Sequence, residues 1–183
     1  MNLSKSPKLI EAPGIIEVPN LESLVLESCI NLRKIDPSIG IHKKLTILNL
    51  NDCENLTSLP SKFEIECLTK LNLTGCSKLT EIPGFGRNMK RVQNLYLGYT
   101  AITTLPTSIE HLTDLDWLDL CNCKNLVHLP DTIFNLKLVR AVDLMGCSKL
   151  DRLPENLGNA ESLEYLNLSE TPIRKVPSSI GLL

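Results

Sequence analysis

Cysteines, histidines and carboxylates are the groups in this chain that could carry metal, thiol or proton-transfer chemistry: 7 Cys, 3 His and 21 Asp plus Glu. Cys121-x-Cys123 has the look of half a zinc site. A structural zinc needs a second ligand pair, and none stands at a matching spacing. Alternation separates only residues one apart, so what parts these two is the end of the strand: Cys121 is expected on the concave side, with Cys123 turned in beyond it. An odd number of cysteines cannot pair completely. Five of them, Cys29, Cys53, Cys76, Cys123 and Cys147, recur at equivalent positions, where Thr100 and Thr171 stand in the other two cases. A thiol that exchanges with a hydroxyl is not held for redox chemistry. What the two share is a small polar side chain, so these seven residues are expected to point inward as a ladder. Their partners would be backbone groups left unpaired where a strand turns into a loop.

The histidines, His42, His111 and His128, are far apart in register, and no His-Glu-x-x-His occurs. No Gly-x4-Gly-Lys-Ser/Thr loop is present to cradle a phosphate. Neighbouring acids on a repeating surface read as a solvated face rather than an acid–base couple. The expectation is therefore no enzyme, no metal and no cofactor held by this chain. Four Asn-x-Ser/Thr sequons, at Asn2, Asn55, Asn72 and Asn167, follow from the wording of the repeat and are read as unused.

The elements that position these groups come from one repeated phrase. Leu21-Glu-Ser-Leu24-Val-Leu26-Glu-Ser-Cys29 returns with starts at 21, 45, 68, 92, 115, 139 and 163, spaced by 23 or 24 residues. That period matches leucine-rich repeats, in which a short strand and a turn or helix make each unit. Leucines two apart lie on one face of a strand, and the strands of successive units stack in parallel. Each unit then turns inward again (Leu32, Leu56, Leu79, Ile102, Leu126, Leu150, Ile173) and meets a proline (Pro37, Pro60, Pro83, Pro106, Pro130, Pro154, Pro177). Proline prevents a long strand or helix there. The fold class predicted is an α/β repeat: a right-handed leucine-rich-repeat horseshoe with a parallel concave sheet. Its convex side would be short 3-10 or irregular segments anchored by Ile39, Phe63, Ile109, Ile133, Leu157 and Ile180. Residues 1–20 form a partial first repeat, running from Met1 through Leu3, Leu9 and Ile10; residues 21–183 carry seven repeats, the last truncated.

Outward strand positions form the candidate surface. Tyr96, Tyr99, Trp117 and Tyr165, all the Tyr and Trp of the chain, fall there with Asp119 and Asp143. Tyr and Trp anchor interfaces because a large apolar body carries a polar tip. Tyr96, Tyr99 and Trp117 lie in adjacent units and are expected to cluster. Acids outnumber Lys70 and Arg140 around the strands, so the partner expected is a basic, partly apolar protein surface. A net charge of -2 argues against nucleic acid. No stretch approaches the ~20 apolar residues that span a bilayer, so no membrane is expected, nor any small-molecule substrate. The segment from Met1 to Ile10 lacks the apolar run of a signal peptide. Reduced thiols suit a cytoplasmic or nucleocytoplasmic protein.

The consensus Leu-x-x-Leu-x-Leu-x-x-Cys-x-x-Leu-x-x-Leu-Pro-x-x-Ile resembles the repeats of plant disease-resistance proteins. The opening from Leu3 to Pro13 and the phrase from Pro19 to Cys29 resemble the first repeats of the class with a Toll/interleukin-receptor-like domain, a nucleotide-binding NB-ARC module and leucine-rich repeats. The resemblance implies intracellular immune reception. The repeats would sense a pathogen effector or a guarded host protein, and would contact their own NB-ARC domain to hold its switch off. ADP or ATP would belong to that module, which is missing from this sequence. The chain opens and stops in mid-repeat, as a fragment or truncated product would. A free-standing intracellular scaffold binding a small GTPase or phosphatase is the alternative. An extracellular receptor ectodomain would call for cap cysteines and a Gly-x-Ile-Pro wording that are absent.

Overall fold

The computed structural model describes residues 1–182. The repeated Leu-x-Leu becomes seven strands of three residues each: β2 (Ser23–Val25), β4 (Ile47–Asn49), β5 (Lys70–Asn72), β6 (Asn94–Tyr96), β7 (Trp117–Asp119), β8 (Ala141–Asp143) and β9 (Tyr165–Asn167). They form one parallel sheet in chain order. Register is unbroken: Ser23, Ile47, Lys70, Asn94, Trp117, Ala141 and Tyr165 are successive neighbours across it. This is a leucine-rich-repeat solenoid. The strands stay short because each coil bends at its eighth residue. Ser28, Asp52, Gly75, Tyr99, Asn122, Gly146 and Glu170 all have φ between 55° and 77°. Asn and Asp tolerate that left-handed region, while Tyr and Glu enter it at a steric cost. At Gly146 an added Cβ would lie 2.6 Å from Asn122 Oδ1, so that side chain would have to shift to admit a larger residue.

The first coil is the least regular. Residues 1–3 do join the sheet: Asn2 bridges Val25, and Leu3 N–H donates to Val25 O at 2.8 Å. Leu9 is partly buried, but Ile10 is 59% exposed. Ala12 takes the inward place instead. It lies in β1 (Glu11–Ala12), paired in parallel with β3 (Lys34–Ile35), opposite the buried Ile35. In register Ile10 precedes that pair by two residues, where it is not covered.

On the convex side five 3-10 segments appear: η1 (Pro37–Ile41), η2 (Thr107–His111), η3 (Asp131–Asn135), η4 (Leu157–Asn159) and η5 (Ser178–Leu182). Proline does more here than halt a strand. Pro37 opens η1, and Pro106 and Pro130 cap η2 and η3, where a fixed φ near −65° prepares the helical turn. The coils starting at Leu45 and Leu68 lack such a segment. Phe63 and Phe85 instead bridge in parallel, their rings edge-to-face at 6.4 Å. The anchors Ile39, Phe63, Ile109, Ile133 and Leu157 are buried, whereas Ile180 is 37% exposed because residues 1–182 lay no further coil over it.

Between sheet and convex side runs a single aliphatic core. Leu24, Leu48, Leu71, Leu95, Leu118 and Val142 repeat one inward position and are all at most 1% exposed. The ladder beside them is a set of hydrogen bonds between coils. Cys53 Sγ donates to Leu26 O, Cys76 to Leu50 O, Cys123 to Leu97 O and Cys147 to Leu120 O, at 3.1–3.2 Å, each reaching the preceding coil. Cys29 reaches Leu3 O at 3.2 Å in the same way. The threonines behave differently. Thr100 donates to its own Leu97 O at 2.8 Å and Thr171 to its own Leu168 O at 2.7 Å. The shorter C–O arm bonds within the coil, and the longer C–S arm spans to the preceding one.

All five ladder thiols are fully buried, and burial pushes Cys123 up to about 11 and Cys53 and Cys147 up to about 12. The thiolate is the reactive species. Only Cys67 and Cys121 are partly exposed. In the folded protein an aromatic disulfide reagent is therefore expected to titrate two thiols, rising to seven in denaturant. Rapid reaction of more than two in the native state would contradict the ladder's burial.

Candidate protein-recognition surface

Positions three and five of each coil leave the sheet on its concave side. At position three, Trp117 and Tyr165 stack with ring centroids 6.1 Å apart and planes 13° apart. They belong to coils separated by an intervening one, whose residue at the same position is Ala141. The rings close over this small residue, leaving it 6% exposed while Trp117 and Tyr165 remain 37% and 44% exposed. A larger side chain at 141 would part them.

The expected grouping of Tyr96, Tyr99 and Trp117 does not form. Among the described residues Trp117 has Tyr165 as its ring partner. Tyr96 sits under the ammonium of Lys70 at 5.1 Å, with its hydroxyl donating to Asn94 Oδ1 at 3.1 Å. Tyr99 lies outside the strand altogether, at the left-handed turn, 54% exposed on the rim beside Asp52, Thr74 and Gly75. Tyr96 and Tyr99 therefore face different neighbours although only three residues separate them.

Asp119 and Asp143 have a role that spacing alone did not reveal. Asp119 Oδ1 accepts the N–H of Cys121 at 2.8 Å, and Asp143 Oδ1 that of Met145 at 2.9 Å. Asn49, Asn72 and Asn167 accept from Asn51, Thr74 and Ser169 in the same manner, at 3.0–3.1 Å. Asn2 does so for Ser4 at 2.9 Å. Position five is thus a second ladder, in which a side-chain oxygen holds the turn that follows the strand. The recurrence of Asn and Asp there was the signal that could have shown it. Three of the sequon asparagines, Asn2, Asn72 and Asn167, are part of this ladder.

Asp119 and Asp143 are direct neighbours across β7 and β8. Burial raises the Asp119 carboxyl above its ordinary value, and the nearby Asp143 adds to the shift. An acid with a raised folded-state value contributes stability below its unfolded value and loses it as pH rises through the two. Asp119→Asn keeps the oxygen that the turn needs and removes the charge. It is expected to raise the melting temperature at pH 7 and to leave it unchanged near pH 2, where both states are protonated. A lower melting temperature at pH 7 would contradict this account. Asp116 is a different case. Arg140 grips it through Nε at 2.6 Å and Nη2 at 2.7 Å, which lowers the Asp116 carboxyl below its usual range. It is therefore no free charge for a partner.

The histidines hold loops. Buried His42 accepts from Lys44 N–H at Nδ1 (3.3 Å), so its Nε2 donates to Val18 O (3.0 Å). His111 Nδ1 donates to Phe85 O at 2.9 Å. Among the described residues no group of three His, Cys, Asp or Glu side chains is placed to hold a metal ion, and no helix is long and apolar enough to cross a membrane.

Residues 64–158 match the family described as "Disease resistance protein RPS4B-like, leucine-rich repeats". The chain belongs to this family. Residues 162–183 also match the general Leucine Rich Repeat family. TMV resistance protein N of Nicotiana glutinosa is 37% identical over 98% of this chain and 16% of its own length. Disease resistance-like protein DSC1 of Arabidopsis thaliana is 39% identical over 100% of this chain and 15% of its own length. Disease resistance protein RPP2A, also of Arabidopsis thaliana, is 41% identical over 71% of this chain and 10% of its own length. The RPS4B-like repeats described here thus span 16% or less of each of these relatives. Two solved structures share the fold. The leucine-rich repeat domain of the type III effector XopL superposes with a TM-score of 0.76 at 22% identity, over all of this chain and 72% of that one. Leptospira interrogans LRR protein LIC12759 does so at 0.62 and 25% identity, over 98% of this chain and 57% of that one. A place among disease resistance repeats gives the concave aromatic and acidic residues a natural reading as a surface for protein recognition.

Proposed function

We propose that this chain is the protein-recognition segment of a plant intracellular immune receptor. It senses a pathogen effector or a guarded host protein, and contacts its own nucleotide-binding module to restrain it. The receptor works in the cytoplasm or between cytoplasm and nucleus, and any ADP or ATP is held outside these repeats. The observation that carries the reading is the concave face. Its stacked Trp117 and Tyr165, beside Asp119 and Asp143, stand on strands whose register is held by a continuous core. Rigid aromatics on a preorganised sheet lose little entropy on binding, and such residues dominate interface energies. The relatives, named as disease resistance, disease resistance-like or resistance proteins, supply the immune context.

The test is made in the complete receptor in leaf tissue. Changing Trp117 and Tyr165 together to alanine is expected to abolish the cell-death response to the recognised pathogen. Changing the convex residues Lys62 and Arg87 to alanine is expected to leave it intact. A response that survives the concave change, or is lost equally with the convex one, overturns the reading.

A further inference from the structure

The concave face carries charge that its fold does not need. The turn after each strand requires one side-chain oxygen, and Asn49, Asn72 and Asn167 provide it without charge. In two adjacent coils the column changes to Asp119 and Asp143, side by side in register. Each uses Oδ1 for its own turn, which leaves the second carboxylate oxygen for another donor. Among the described residues the ion pairs are Lys43–Glu66, Lys62–Glu64, Lys137–Glu161 and Arg140–Asp116, so neither concave acid is matched by a base. Lys70, a base on the same face, is drawn to Tyr96. Two residues back along the strands, about 7 Å away at the rise of extended chain, stands the half-exposed Trp117–Tyr165 stack.

Unmatched acids beside a flat aromatic surface select a cation that is planar and weakly hydrated and has several N–H donors. Guanidinium has all three properties; ammonium is compact, strongly hydrated and not planar. Guanidinium also forms stacking and cation–π contacts with Trp and Tyr, and its fork of donors can serve two carboxylates at once. We propose that this corner of the sheet receives an arginine side chain from a protein partner, lying against Trp117 and Tyr165 and donating to the free oxygens of Asp119 and Asp143. This names the chemistry of the partner and rests on the recognition reading above. It also accounts for Ala141, whose small side chain lets the two rings meet beside the acid pair.

Trp117 is the only tryptophan, so its indole N–H resonance reports on this corner alone. Three blocked pentapeptides, Gly-Gly-X-Gly-Gly with X arginine, lysine or citrulline, are titrated into the labelled chain. The arginine peptide is expected to move the resonance saturably, the lysine peptide to bind at least fivefold more weakly, and the uncharged citrulline peptide to leave it still. In the Asp119→Asn, Asp143→Asn double variant, whose turns are preserved as at Asn72, the arginine response is expected to weaken at least tenfold. An equal response to citrulline, or an unchanged response in the double variant, overturns the proposal. The two readings fail separately. An absent arginine response with the Trp117 effect on cell death intact removes the arginine and keeps recognition. The converse result removes recognition and keeps the arginine site.

Discussion

Replacing Leu118 by alanine is expected to lower the unfolding free energy by about 4 kcal/mol, near the upper part of the range for large-to-small core changes. Leu118 is fully buried in β7, with Leu95 and Val142, also fully buried, in register on either side. A cavity costs less when the surroundings can collapse into it. Here they are held in place. The backbone is tied to both adjacent strands, and Cys123 and Cys147 bind their coils to the preceding ones. In a solenoid each coil contacts only its neighbours, so the loss weakens two interfaces together. Leu166→Ala provides the comparison. It occupies the same repeat position in β9, where it is only partly buried, and is expected to cost less than half as much. Urea unfolding followed by circular dichroism measures both. Equal costs, or less than 1 kcal/mol at Leu118, would show that the coils do not share one rigid core.

The second large effect is on binding. Trp117→Ala is expected to weaken the partner complex by about 2 kcal/mol, close to 30-fold, as for central aromatic residues of other interfaces. The change removes one ring of the Trp117–Tyr165 stack and uncovers Ala141. Tyr165 then loses the neighbour that fixes its orientation. Tyr165→Ala is expected to cost less alone, and the double change less than the sum of the singles, because the two rings act as a unit. Trp117 is already 37% exposed, so the melting temperature should move little. Titration of wild type and variants against the captured partner checks this. Unchanged affinity at Trp117→Ala, with the fold intact, would place the interface elsewhere.

Much of the architecture could be read before any coordinates. Strand starts, inward leucines, the ninth-position ladder and the proline boundaries all follow from a period of 23 or 24 residues. Because neighbours repeat the same environment, one coil's pattern predicts the next coil's burial. The first coil shows the limit. Its wording is diluted, and only the register shows Ala12 turned inward beside an exposed Ile10. The ladder shows a subtler one. Cysteine and threonine share a position, but only bond length and coil spacing decide which carbonyl each reaches.

The outward face was legible in composition and not in arrangement. Tyr96, Tyr99, Trp117, Tyr165, Asp119 and Asp143 could be placed near the strands by counting, but their partners could not. Position eight turns left-handed and takes Tyr99 off the sheet. Arg140 neutralises Asp116, while Asp119 and Asp143 hold turns. Trp117 passes over its nearest coil to meet Tyr165 because residue 141 is small. The sequence alone determined what points inward, since local periodicity sets that one coil at a time. Only the tertiary structure decided which outward side chains meet, because that depends on the sizes and charges of three stacked coils at once.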